Sequence, residues 1–113
     1  MQNLEQIRAA NALKAAANTS RTAVSKLPAM ILANGLLATA GFCAAGGDSR
    51  KEMKNAMDHT AEHLAGRDLI NRDPGKTDGL IKDLSQRKSI DLQRATSEAL
   101  TFISYLKRFA KQK

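Results

Sequence analysis

A chain of 113 residues is long enough for one hydrophobic core and hardly for two, so it reads as a single domain spanning 1–113. One cysteine, Cys43, excludes an internal disulfide and removes any need for an oxidising compartment; the expected location is the cytoplasm. Eighteen Lys and Arg against 11 Asp and Glu leave a net charge of +7, which favours an acidic partner such as nucleic acid.

From Asn3 to Asn18, Leu4, Ile7, Ala10, Leu13 and Ala17 recur at helical spacing with Gln6, Arg8 and Lys14 between them, which predicts an amphipathic first helix buried on that apolar face. Leu27 to Gly47 follows without a charged side chain. It has the length of a membrane span but is diluted by Pro28, Asn34, Gly35, Thr39, Gly41 and Gly46-Gly47, and a signal peptide would not place a long amphipathic segment ahead of its apolar region. The stretch therefore reads as two short buried helices meeting at Asn34-Gly35, with Pro28 in the first turn of one helix and Gly35 closing it. Ser49-Arg50-Lys51-Glu52 has the form of a reciprocal helix cap. Met53, Ala56, Met57, Thr60 and Leu64 then share one face until Gly66.

Residues 66–79, rich in turn formers such as Asn71, Asp73, Pro74 and Gly75, read as a flexible loop, and Leu80, Ile81 and Leu84 as a short helix after it. The last helix has Ser89 as expected cap, Asp91 near its positive end, and Leu92, Ala95, Ala99, Phe102, Leu106 and Phe109 spaced by threes and fours. No segment alternates apolar and polar residues, so no strand is expected. The class is all-α, a compact bundle of about five or six helices.

Three motifs invite a chemical reading, and none makes a catalytic site. His59-Thr60-Ala61-Glu62-His63 matches the H-x-x-E-H spacing of a zinc-binding helix, but a catalytic zinc needs a third ligand and a cleft, and a solvated helix face is the simpler reading. Gly75-Lys76-Thr77 resembles the end of a phosphate-binding loop but lacks the leading glycine, since Ile70 stands there, and no strand precedes it. Cys43 beside Phe42 has no base near it and reads as a core residue. No cofactor and no metal are expected.

The charge is the remaining signal. Arg87, Arg94, Thr101, Tyr105 and Arg108 line up along the last helix with Glu98 interrupting them, a cationic stripe with one aromatic of the kind that holds phosphate and stacks on bases. From Gln86 onward, Arg87, Lys88, Arg94, Lys107, Arg108, Lys111 and Lys113 face only Asp91 and Glu98. Such an excess suggests contacts with a phosphate backbone, which position without reading sequence. Lys26 and Lys54 join Arg94 as candidate RNA-binding residues by charge and helix facing.

Three stretches in order, "EQIRAANAL", "KLPAMILANGLLATAGF" and "ATSEALTFISYLKRFAKQ", resemble the small all-helical subunit of the type III-B CRISPR RNA-silencing effector, the Cmr complex. The matching residues are Arg8-Ala9, Leu27-Pro28, Asn34-Gly35-Leu36, Phe42, Ala95-Thr96, Glu98-Ala99-Leu100 and Tyr105 to Ala110; Tyr105 stands where the family often has Trp, Leu92 where it often has an aromatic, and Gly66 to Gly79 matches nothing in the family. The resemblance implies a non-catalytic, RNA-binding role. Copies of the subunit would stack on one another in a filament beside the larger backbone subunits, which hold the guide RNA and perform target cleavage, and help form the channel for guide and target RNA in antiviral defence. It also adds Lys107 and Arg108, within the matched motif, to the candidate RNA contacts. The related type III-A small subunit shares the expected architecture. A helical DNA-binding regulator, with a helix-turn-helix pair around Asn34, is the alternative from another class, disfavoured because Leu36 to Ala45 carries no basic residue to reach a base edge.

Overall fold

The computed structural model describes residues 2–71 and 76–110. Asn3 opens the first helix, α1 (Leu4–Ala16): its side chain accepts from the Gln6 amide at 2.8 Å while Gln6 Oε1 accepts from the Asn3 amide at 2.8 Å, so two free donors are satisfied reciprocally. A five-residue helix, α2 (Arg21–Ser25), follows on the Ser20 cap and was not expected from the sequence, being too short to show a period. Then come α3 (Leu27–Asn34), α4 (Leu36–Ala45), a single 3-10 turn at Gly47–Arg50, α5 (Lys51–Gly66), α6 (Thr77–Leu84) and α7 (Ser89–Phe109). There is no strand among the described residues, and the expected all-α bundle is what forms: six helices of eight residues or more, plus α2.

The helices bury their apolar stripes in one cluster to which all seven contribute, with Leu27, Leu36, Met57, Leu64, Leu80, Phe102, Ile103 and Leu106 fully enclosed. The long α7 is the axis: α1, α2, α3 and α5 all lie against it, while α4 packs between α5 and α6. On α5 the expected face of Met53, Ala56, Met57, Thr60 and Leu64 is the buried one, and on α7 Ala95, Ala99, Phe102 and Leu106 are. Cys43 is buried in this core, and burial pushes its thiol up to about 11, which removes it as a nucleophile at neutral pH.

Several local expectations are corrected. The buried side of α1 is Ala12, Ala15 and Ala16, whereas Ala10, Leu13 and Ala17 are exposed, because the helix is turned so that Arg8 and Asn11 reach partners on α7 and α5. Small alanines let it approach α7 closely in that rotation. Ser49 does not cap α5; its hydroxyl donates to Gly46 O at 3.1 Å inside the 3-10 turn, which occupies the residues a reciprocal cap would need. Ser89 is the first helical residue of α7, with Lys88 outside it in an extended conformation. The expected loop over 66–79 ends earlier, since Thr77 to Gly79 begin α6; residues 72–75 of that loop lie outside the described ones.

Leu27 to Gly47 forms the expected pair of helices but is not wholly buried: Leu27, Ile31, Leu36, Ala40 and Cys43 face the core, while Leu32 and Phe42 are exposed. No helix among the described residues is long and apolar enough to cross a membrane. The corner is made by Gly35 at φ 94°, ψ 162°, a conformation essentially reserved for glycine, with its amide donating to Ile31 O and its carbonyl accepting from Thr39 Oγ1.

A Cβ at Gly35 would meet nothing, so its cost is purely conformational. Gly35→Ala is expected to destabilise by about 2 kcal/mol. Gly41→Ala, inside α4 with equally open space around the added Cβ, is expected to stabilise by about 0.5–1 kcal/mol. Denaturant midpoints of the two variants check the pair; equal shifts would mean the corner is not held by that conformation.

Candidate nucleic-acid interface

The C-terminal end of α7 presents carbonyls without partners inside the helix, a partial negative charge that favours cations nearby. Lys107 and Arg108 stand in this last turn, both exposed and neither in an ion pair among the described residues. Arg21, the first residue of α2, reaches across: its Nε donates to Lys107 O at 3.0 Å and its Nη2 to Arg108 O at 3.4 Å. The Arg21 guanidinium is thus held at the helix end that carries Lys107 and Arg108, and among the described residues no carboxylate pairs with Lys107 or Arg108. Lys26, exposed, closes α2, the helix that Arg21 opens and that packs on α7.

The other candidates are placed elsewhere. Arg94 is exposed and in no ion pair among the described residues, but thirteen residues of helix, or ~20 Å, separate it from Lys107. Lys54 is engaged with Asp58 on its own helix at 3.4 Å. Asp58 in turn accepts from the Thr77 amide at 3.0 Å and from Thr77 Oγ1 at 2.6 Å, which fixes the start of α6. Burial would raise the Asp58 carboxyl, but the Thr77 hydrogen bonds and Lys54 hold it below the usual range. The Lys76-Thr77 pair is therefore a helix start tied to α5, while Gly75 lies outside the described residues. The supposed cationic stripe is also interrupted by pairing: Arg87 binds Asp83 at 3.0 Å, and the Tyr105 hydroxyl donates to Glu5 at 3.4 Å.

Glu98 does not stand on an exposed stripe at all. It is buried between three helices, accepting from Arg8 Nη2 at 2.6 Å and Arg8 Nε at 2.8 Å on α1 and bonded to His63 Nε2 at 2.8 Å on α5. His63 Nδ1 lies 3.0 Å from Asn11 Nδ2, and the His63 ring stacks on Phe102 with centroids 4.4 Å apart. With an amide donor on Nδ1 and a carboxylate on Nε2, a neutral imidazole protonated at Nε2 satisfies every partner. Burial would raise the Glu98 carboxyl, yet Arg8 and His63 hold it below the usual range; burial, with the Arg67 and Arg8 charges, lowers His63 against the upward pull of Glu98.

One reading is corrected here. His63 is buried, not on a solvated face, and the H-x-x-E-H spacing places its ring in a structural network while Glu62 is exposed. Among the described residues no group of three or more His, Cys, Asp and Glu side chains is placed to hold a metal. The helix-turn-helix alternative is further disfavoured, because the residues that α4 leaves exposed, Ala38, Phe42 and Ala45, carry no polar or basic group to reach a base edge. Arg21, Arg8 and Asn11 were missed in the sequence. The available signal was Glu98 itself, which falls between Ala95 and Phe102 in the buried period of α7.

The depressed His63 and Glu98 values fix a sign. The folded state holds His63 neutral, so its contribution is full above the ordinary histidine range near 6.5 and is lost as acid protonates the unfolded chain first. Glu98 acts in the same sense at lower pH. Thermal midpoints are expected to fall between pH 7 and 5, and His63→Gln, which cannot titrate, should flatten that fall. A midpoint that does not change over this range in the unmodified chain would contradict a neutral buried ring.

A family model described as CRISPR-associated protein (Cas_Cmr5) matches residues 2–113. Neither the comparison with curated proteins nor that with solved structures gives a match.

Proposed function

The chain belongs to the Cas_Cmr5 family, the small subunit of type III-B Cmr complexes, and from that premise we propose that it binds RNA phosphate and performs no chemistry of its own. As a CRISPR-associated type III effector subunit it associates with the other subunits of that complex. In the proposed role several copies stand beside the backbone subunits and line the path of guide and target RNA, while cleavage is left to the backbone subunits. The observation that carries the RNA reading is the occurrence of Arg21, Lys107 and Arg108 at the end of α7, the latter two exposed and in no ion pair among the described residues. Guanidinium and ammonium groups held by a helix end suit phosphate oxygens irrespective of base.

The test is RNA binding by Lys107→Glu plus Arg108→Glu over a salt series. The expected result is weaker association, most visible at low salt, with the slope of log affinity against log salt reduced by about one to two and helical content unchanged. Undiminished binding at low salt would overturn the assignment of this end of α7. Loss of helical content would instead assign these side chains to packing.

A further inference from the structure

A cleft of about 390 Å³ opens between α1 and α5. One side is lined by Asn11, Lys14 and Asn18, the other by His59 and Glu62, residues whose spacing puts them on one face of each segment. Gly66 keeps the cleft open, since a Cβ added there would meet nothing within 4 Å. His59 Nε2 is enclosed yet has no hydrogen-bond partner among the described residues, a deficit that folded chains seldom leave. Lys14 and Glu62 are exposed and in no ion pair among the described residues. Asn11 spends its amide nitrogen on His63 Nδ1 and keeps its oxygen as an acceptor.

These groups select a ligand by their chemistry. One ammonium and one carboxylate offset each other, so the cleft holds no surplus charge for a bare phosphate, and its polar sides disfavour an aliphatic group. Its volume stands at the small end of the range for small-molecule sites, ~300–1,000 Å³, too little for a peptide helix. At the back lie the stacked rings of His63 and Phe102, 4.4 Å apart. A flat, neutral heterocycle with donors and acceptors on its edges fits this set, which is the description of a nucleobase. Guanine alone among the four RNA bases offers a carboxylate two adjacent donors, N1–H and the N2 amino group, and carries O6 and N7 as acceptors. We propose that the cleft binds guanine, with Glu62 accepting from N1 and N2 and with Lys14 and His59 donating to O6 and N7. The neighbouring cations point to the source of the base. Asn18 stands three residues before Arg21, and Phe102 five before Lys107, or ~8 Å along α7, so a nucleotide whose phosphate rests at the α7 end has its base within reach of the cleft. The inference rests on the RNA reading for that source; the base site itself does not.

The experiment measures binding of the full chain to single-stranded oligouridylate and to an RNA of equal length carrying guanosines, and follows the His59 ring by NMR as guanosine or uridine monophosphate is added. The guanosine-containing RNA is expected to bind about tenfold or more tightly than oligouridylate, and the guanosine nucleotide alone to shift the His59 signals. Glu62→Gln, which replaces one of the two acceptors with a donor, should abolish the preference and leave oligouridylate affinity unchanged. Gly66→Leu, which fills the cleft, should do the same. Equal affinity for the two RNAs with no selective shift at His59 would overturn the proposal, as would a preference that survives Glu62→Gln. A selective shift at His59 in a chain that binds neither RNA would instead sink the RNA reading and make a free nucleotide the source of the base. Should Gly66→Leu lose helical content, Glu62→Gln alone decides, since that exposed side chain makes no hydrogen bond or ion pair among the described residues.

Discussion

Arg8→Ala is expected to destabilise the chain by about 3 kcal/mol, because it leaves the buried Glu98 carboxylate without the guanidinium that neutralises it. For a domain of this size that lowers the thermal midpoint by roughly 10 °C. The bond is bidentate, from Nε and Nη2, so Arg8→Lys keeps the charge but loses the fork and should sit between the two. Pairing Arg8→Ala with Glu98→Gln removes the unpaired charge, and the double variant should recover part of the loss. A change below about 0.5 kcal/mol for Arg8→Ala would mean that Glu98 is neutralised by other means.

Phe102→Ala should cost about 4 kcal/mol, the range for deleting a fully enclosed aromatic. The ring does more than fill space, since it is the plate on which His63 stacks. Its removal is expected to loosen the imidazole held between Asn11 and Glu98, and hence to shrink the fall in stability between pH 7 and 5. Phe102→Leu, which keeps apolar volume without the stacked face, should cost much less while still altering the pH dependence. Denaturant unfolding at two pH values separates these effects. A Phe102→Ala chain with the pH dependence intact would show that the hydrogen bonds alone orient His63.

What the sequence discloses follows the size of the apolar side chains. On α5 and α7, Met53, Met57, Leu64, Phe102 and Leu106 mark the buried stripe unambiguously, and the Gly35 corner is announced by the one residue type able to adopt φ 94°. On α1 the rule misleads. Its large residue Leu13 is exposed and its alanines are buried, because the helix is oriented by polar bonds from Arg8 and Asn11 to residues 52 and 90 positions away. Periodicity registers hydrophobicity within a helix and carries no information on such distant partners. The same blindness applies to Arg21, whose role depends on meeting the end of α7 across 86 residues. Glu98 is legible as an anomaly in the stripe, yet its burial is not, since a charged residue is seldom buried without partners that a local window does not contain.

Charge excess was therefore a sound guide to the kind of surface and a poor one to its members. Lys107 and Arg108 stand at a helix end with no ion pair among the described residues, Lys54 is held by Asp58, and Arg94 is exposed ~20 Å from that end.

In the proposed role this chain works as an RNA-associated subunit of a larger complex. Affinity purification of the protein from its native cells, with sequencing of the bound nucleic acid, tests it most directly. Discrete short guide RNAs recovered with several larger Cmr subunits are the predicted result; recovery of the protein alone, or with genomic DNA, would contradict it.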